Sequence, residues 1–138
     1  MIRKMLPSDY NSIYKLGAQL NINYAKLNKL DDIVNDNNQK VYVYIINNNV
    51  VGFLHITISF DEADIVDIIT SEEYRNHGIG NSLISYAIKD NNLKKINLEV
   101  RESNKIAIEF YQKINFKKVR IIKKYYGTED AFFMVKEI

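Results

Sequence analysis

The chain has 138 residues, 46% hydrophobic and 26% charged, with a net charge of +2, two histidines and no cysteine. That length suits one domain (1–138) with its own core, and the composition is that of a globular protein. The small charge gives no case for nucleic acid as a partner, and the missing cysteine removes disulfides, thiolate metal sites and a cysteinyl acyl intermediate.

Ile2–Met5 reads as a first strand. Pro7-Ser8-Asp9 then marks a helix start, with Ile13, Leu16, Ala18 and Leu20 as apolar positions. Tyr24–Val34 carries a second helical pattern, and Asp36–Gln39 breaks it. Val41–Ile46 and Val50–Ile58 are strands around Asn47-Asn48-Asn49, a hairpin turn of residues that tolerate positive φ. Ala63–Thr70 is the next strand; a glycine loop follows, and its helix runs to about Lys89. Lys94–Val100 is a strand, Ser103–Ile114 a helix, and Phe116–Tyr125 and Ala131–Lys136 are the last strands. The order βααβββαβαββ implies an α/β fold with a mixed central sheet flanked by helices. Met1 opens a strand-like segment rather than a signal peptide, and the longest apolar runs fall well short of the ~18 residues of a spanning helix, so a cytoplasmic protein without a membrane partner is expected.

The loop Arg75-Asn76-His77-Gly78-Ile79-Gly80 joins an apolar strand to a helix. Glycines there let backbone approach a ligand, and the first helical turn offers free N–H groups at the positive end of a dipole. The combination suits a phosphate or pyrophosphate. A P-loop would need Gly-Lys-Ser/Thr, but Gly80 is followed by Asn81 and Ser82. A dinucleotide fingerprint would need glycine where Leu83 stands. Arg75, Gly78 and Gly80 match the Arg/Gln-x-x-Gly-x-Gly/Ala loop of the GNAT acetyltransferases in full.

Further residues extend that resemblance. Leu98-Glu99-Val100-Arg101-Glu102-Ser103-Asn104, Phe110-Tyr111 and Phe116 look like the second half of a GNAT domain. With Tyr125-Tyr126, Glu129-Asp130-Ala131 and Met134 they resemble the bacterial ribosomal-protein alanine N-acetyltransferases, over roughly Ile65–Val135. The resemblance implies the GNAT acyl-CoA N-acyltransferase fold, with two parallel strands, Ile65–Thr70 and Lys94–Val100, splayed into a groove for acetyl-CoA. It implies that pantetheine pairs with Ile68, Ile69 and Thr70, that the pyrophosphate sits on Asn76, His77, Gly78, Ile79, Gly80 and Asn81 beside Arg75, and that Asn104 touches the cofactor. Spacing leaves Asn104 equally open to capping the helix that follows it.

Alternation along Lys95–Val100 sets Asn97 and Glu99 on one face. On strand position alone Glu99 is more readily a surface or ion-paired residue, with Arg101 as a partner; the resemblance implies the base that takes a proton from the amine. Tyr111 lies near the stripe Ala107, Phe110 and Ile114, where the ordinary reading is a core aromatic; the resemblance implies the acid that protonates the departing thiolate. Asp67 is a rival base, and His55 reads as a packed strand residue. Two histidines and no cysteine argue against a metal site. Tyr125 and Tyr126 are expected to line the acceptor site. The expected reaction is direct acetyl transfer from acetyl-CoA to a primary amine, foremost a protein N-terminus such as that of a ribosomal protein. The alternatives are a small-molecule amine as acceptor, or an acyl-CoA-binding module without catalysis.

Overall fold

The computed structural model describes residues 1–124 and 127–138. Strands β1 (Ile2–Lys4), β2 (Gln39–Ile46), β3 (Asn49–Ser59), β4 (Glu62–Thr70), β5 (Lys95–Arg101), β6 (Lys117–Ile122) and β7 (Ala131–Glu137) form one mixed sheet in the order β1-β2-β3-β4-β5-β7-β6. Only β4 and β5 run parallel, joined by the long helix α4 (Ile79–Asp90); β7 inserts between β5 and β6, antiparallel to both. The Asn47–Asn48 turn has positive φ at both residues, as a two-residue hairpin of the right twist requires.

Two apolar clusters lie on opposite faces of the sheet. On one face α4 buries Ile79, Leu83, Ile84 and Ala87 against Tyr42, Leu54, Ile56 and Ile96, and α5 (Lys105–Lys113) adds Tyr111. On the other, α1 (Tyr10–Leu20), α2 (Tyr24–Leu27) and α3 (Leu30–Val34) bury Ile13, Leu16, Tyr24, Leu30 and Ile33 against Val41, Val43 and Phe53.

The single helix expected over Tyr24–Val34 is two. Asn28 and Lys29 are extended, and the Asn28 side chain bonds the Tyr24 carbonyl at 3.2 Å. An unbroken helix would turn Tyr24 away from Leu30 and Ile33; the break buries all of them and leaves Leu27 and Val34 exposed. Gly17 completes the seat of Tyr24, since a Cβ there would lie 2.5 Å from the ring. The last two strands also end differently from expectation: β6 stops at Ile122, with a turn at Lys123 and Lys124.

Candidate active site

The β4–β5 pairing is short. It runs from Glu62 opposite Lys95 to Asp64 opposite Asn97 and stops, although β4 continues to Thr70 and β5 to Arg101. A bulge accompanies the parting: across β3, His55 pairs with Asp67 but Ile56 with Ile65, so Val66 is an extra residue. Bulges bend a strand and terminate pairing. The bulge also resets the alternation. Ala63, Ile65 and Ile68 pack toward α4 and α5, whereas Asp67 takes the face of Ile69, His55 and the α1–α3 cluster. Strict alternation would have put Asp67 with Ala63 and Ile65. Beyond Asp64, the backbone of β4 facing β5 is therefore free to pair with something else.

The glycine loop stands at the end of β4. Asn76 and Gly78 have positive φ, and the first backbone bond of α4 runs from Ser82 N–H to the Gly78 carbonyl. The N–H groups of Asn76 through Asn81 thus have no backbone acceptor in the loop. The Arg75 Nε donates to the Thr70 carbonyl at 3.2 Å and ties the loop to the strand. The two glycines serve different needs. Gly78 holds a left-handed φ of 76° with open space around it, while a Cβ on Gly80 would come within 2.9 Å of the Phe110 ring. Gly80 is what lets α4 lie against α5.

Glu99 is exposed and makes no hydrogen bond or ion pair among the described residues; Arg101 pairs instead with Glu129 at 3.2 Å. Glu129 also accepts from the Ser103 N–H at 3.2 Å, and these donors hold its carboxyl below the usual range. Asp130 accepts from the Lys124 N–H at 2.8 Å, so Glu129 and Asp130 anchor both ends of the segment between β6 and β7. Tyr125 and Tyr126, expected at the acceptor site, lie outside the described residues. The basic residues of β6, Lys117, Lys118 and Arg120, are exposed, with Lys118 over the Phe132 ring and Arg120 over Phe133.

Tyr111 is 8% exposed, edge-on to Phe110 and Phe116. Burial, and after it the charge of Asp67, pushes its hydroxyl up to about 12. Asp67 therefore acts electrostatically on a tyrosine packed on the other face, across the region where the strands have parted. Burial raises the Asp67 carboxyl itself to about 6. Asn104 is exposed, accepts from the Ala107 N–H at 3.3 Å and caps α5. Sequence reasoning missed the buried polar atoms on the α1–α3 face. Among the described residues Tyr24 Oη, His55 Nδ1 and Asn97 Oδ1 have no hydrogen-bond partner; the signals in the sequence were two polar residues, His55 and Asn97, within apolar strands. Among the described residues no group of three or more metal-ligating side chains occurs, and no helix is long and apolar enough to cross a membrane.

A sheet opened between its two parallel strands, with an anion-suited loop at the head of the linking helix, is the architecture of an acyl-CoA-dependent N-acyltransferase. The acetyltransferase (GNAT) family profile matches residues 4–116. An N-alpha-acetyltransferase of Saccharolobus solfataricus is 38% identical over 114 residues, covering 70% of this chain and 68% of that protein. The [ribosomal protein bS18]-alanine N-acetyltransferase of Escherichia coli K12 is 30% identical over 99 residues, 67% of each chain. The crystal structure of Ard1 from Thermoplasma volcanium superposes with a TM-score of 0.85 at 27% identity, covering 100% of this chain and 97% of that one. The chain belongs to the GNAT family and is an N-acetyltransferase.

Proposed function

We propose that the protein transfers the acetyl group of acetyl-CoA directly to the N-terminal α-amine of a protein, such as a ribosomal protein. The observation that carries this reading is the unpaired stretch of β4 beyond Asp64, with Glu99 on the facing strand and Tyr111 packed beneath. Pantetheine pairs with the backbone of Ile68, Ile69 and Thr70, as a third strand would. The pyrophosphate takes the free N–H groups of Asn76–Asn81, aided by the helix dipole and Arg75, and Asn104 borders the cofactor. The amine enters from the α1–α3 face. Its nitrogen attacks the thioester carbon; the C–N bond forms and the C–S bond breaks. Tyr111, which keeps its proton at neutral pH, donates it to the departing sulfur, and Glu99 takes a proton from nitrogen.

The names of the archaeal and bacterial relatives support a protein N-terminus as acceptor. Residues 1–138 are read as one acetyltransferase domain acting in the cytoplasm. The test is mass spectrometry of N-terminal peptides from cells with and without the protein, beside an assay of purified protein on acetyl-CoA with Ala-initiated peptides and polyamines. Loss of specific N-terminal acetylation is expected. Turnover of small amines alone would refute the N-terminal acceptor, and CoA binding without turnover would refute catalysis.

A further inference from the structure

A carboxylate that sacrifices solvation without a partner costs the fold stability, and such groups gather at functional sites. Asp67 makes no hydrogen bond or ion pair among the described residues. It reaches the α1–α3 face only because the Val66 bulge turns it there, beside the point where β4 and β5 separate. Its surroundings leave its charge unspent. His55 stands directly opposite on β3, 2% exposed, and would neutralise Asp67 if it were protonated. It is held neutral by burial, with its pKa near 4. A relay also fixes its tautomer: Gln39 Nε2 donates to Asp36 at 2.9 Å, so Gln39 Oε1 faces His55 Nε2 at 2.8 Å and accepts its proton. Nδ1 then carries a bare lone pair.

From α2, Tyr24 packs edge-on against Phe53 at 5.7 Å and Tyr14 at 6.4 Å, over Gly17. Its hydroxyl is buried with no hydrogen-bond partner among the described residues, and its pKa is raised by burial and then by the charge of Asp67. The hydroxyl and the carboxylate feel each other yet make no direct bond; a group donating to both would satisfy both. A primary ammonium has three donors and a positive charge, which suits a free carboxylate next to unpaired oxygen and nitrogen acceptors.

We propose that Asp67, flanked by Tyr24 and His55, is the acceptor's ammonium-binding site, and that Asp67 takes the first of the two protons the nitrogen must lose. This rests on the acetyl-transfer reading above. An ammonium has no lone pair, so one proton must leave before attack: it passes to Asp67. The second leaves after the C–N bond forms and passes to Glu99. Tyr111 supplies the proton that the thiolate gains, so one net proton reaches solvent per turnover. The titratable groups around Asp67 are His55, opposite it on β3, and two tyrosines that its charge reaches, Tyr24 from α2 on the same face and Tyr111 from α5 on the other.

The test compares wild type with Asp67→Asn and Tyr24→Phe, using an Ala-initiated peptide and acetyl-CoA. For Asp67→Asn, the KM for peptide should rise at least about tenfold, with CoA affinity by calorimetry unchanged, and kcat/KM should lose its acid limb near pH 6. Tyr24→Phe should raise the same KM about threefold or more. A readout independent of turnover is the carboxyl ¹³C titration of Asp67 with CoA bound, with and without alaninamide. Its midpoint should fall by about one unit or more when the amine binds. An unchanged KM and acid limb in Asp67→Asn, or a midpoint that no primary amine moves, overturns the proposal. A midpoint moved by spermidine and not by alaninamide keeps the ammonium site and overturns the N-terminal acceptor. A moved midpoint in a protein without turnover keeps the site and overturns the catalytic reading.

Discussion

Asp67 faces His55 across β3 and β4, and burial drives the two in opposite senses: the carboxyl up to about 6, the imidazole down to about 4. Their ordinary values are 3.8 and 6.5, so both titrate differently on folding in nearly the same window. There the folded state binds more protons than the unfolded at Asp67, and its contribution to stability falls as pH rises. It binds fewer at His55, whose contribution falls as pH drops from about 6.5 to 4. The two slopes oppose each other. Asp67→Asn should leave the His55 slope alone. That variant should exceed wild type at neutral pH by on the order of 2 kcal/mol, discounted for the open side of Asp67, and lose stability steadily on acidification. Urea melts at about pH 4.5, 5.5 and 7 measure it; a wild type as acid-sensitive as the variant would refute the pairing.

Glu99→Gln and Tyr111→Phe should separate chemistry from stability. Glu99 is exposed and makes no ion pair among the described residues, so Glu99→Gln should leave the melting temperature unchanged while kcat falls on the order of 10²-fold or more. Tyr111→Phe keeps the packing against Phe110 and Phe116 and should lose a comparable factor. Because the hydroxyl titrates only at about 12, Tyr111 should produce no alkaline loss of kcat below about pH 11. A change of only a few-fold in both variants would remove these roles.

The two loop glycines should fail in different ways. Gly80→Ala brings a methyl against Phe110 and should cost about 1–3 kcal/mol of stability. A second change, Phe110→Leu, should restore part of it, which a double-mutant cycle in thermal melts reads directly. Gly78→Ala meets no neighbour but must hold a left-handed φ of 76°. It should cost only about 1 kcal/mol of stability yet weaken CoA by distorting the N–H array, as calorimetry would show.

Asp9 and Arg3 seat α1. The Asp9 carboxylate takes two bonds from Arg3, at 2.6 and 3.1 Å, and one from the Leu6 N–H at 2.7 Å, at a residue 5% exposed. Asp9→Ala should destabilise by on the order of 3 kcal/mol, since it strands a cation and the N–H that precedes the helix. Chemical denaturation measures this, and the acceptor KM should rise with it, because α1 and α2 carry Tyr24 to Asp67.

Local pattern made most elements legible. The apolar spacing of α4, the Asn turn and the alternation of β5 are short-range consequences of helix and strand period, whereas Glu99 and Tyr111 became site candidates only through the resemblance to the GNAT acetyltransferases, since strand position and helical spacing alone favoured a surface carboxylate and a core aromatic. The two-part α2–α3 was not, because Tyr24 is buried by tertiary contact with Gly17 and Phe53 against the phase of the helix. Nor was the packing role of Gly80, because it depends on Phe110 of α5 lying beside it.

The amino-acid pattern alone marked the strand-to-helix turn suited to an anion, and its resemblance to the GNAT acetyltransferases nominated the candidates for acyl transfer. The tertiary structure alone decided that β4 and β5 part after Asp64 and Asn97, that β7 lies between β5 and β6, and that Asp67 faces Tyr24 and His55 rather than Ile65. The physical reason is register. Which strands pair, and where one extra residue bulges, follows from contacts between distant segments, and a single inserted residue reverses the face of every side chain beyond it.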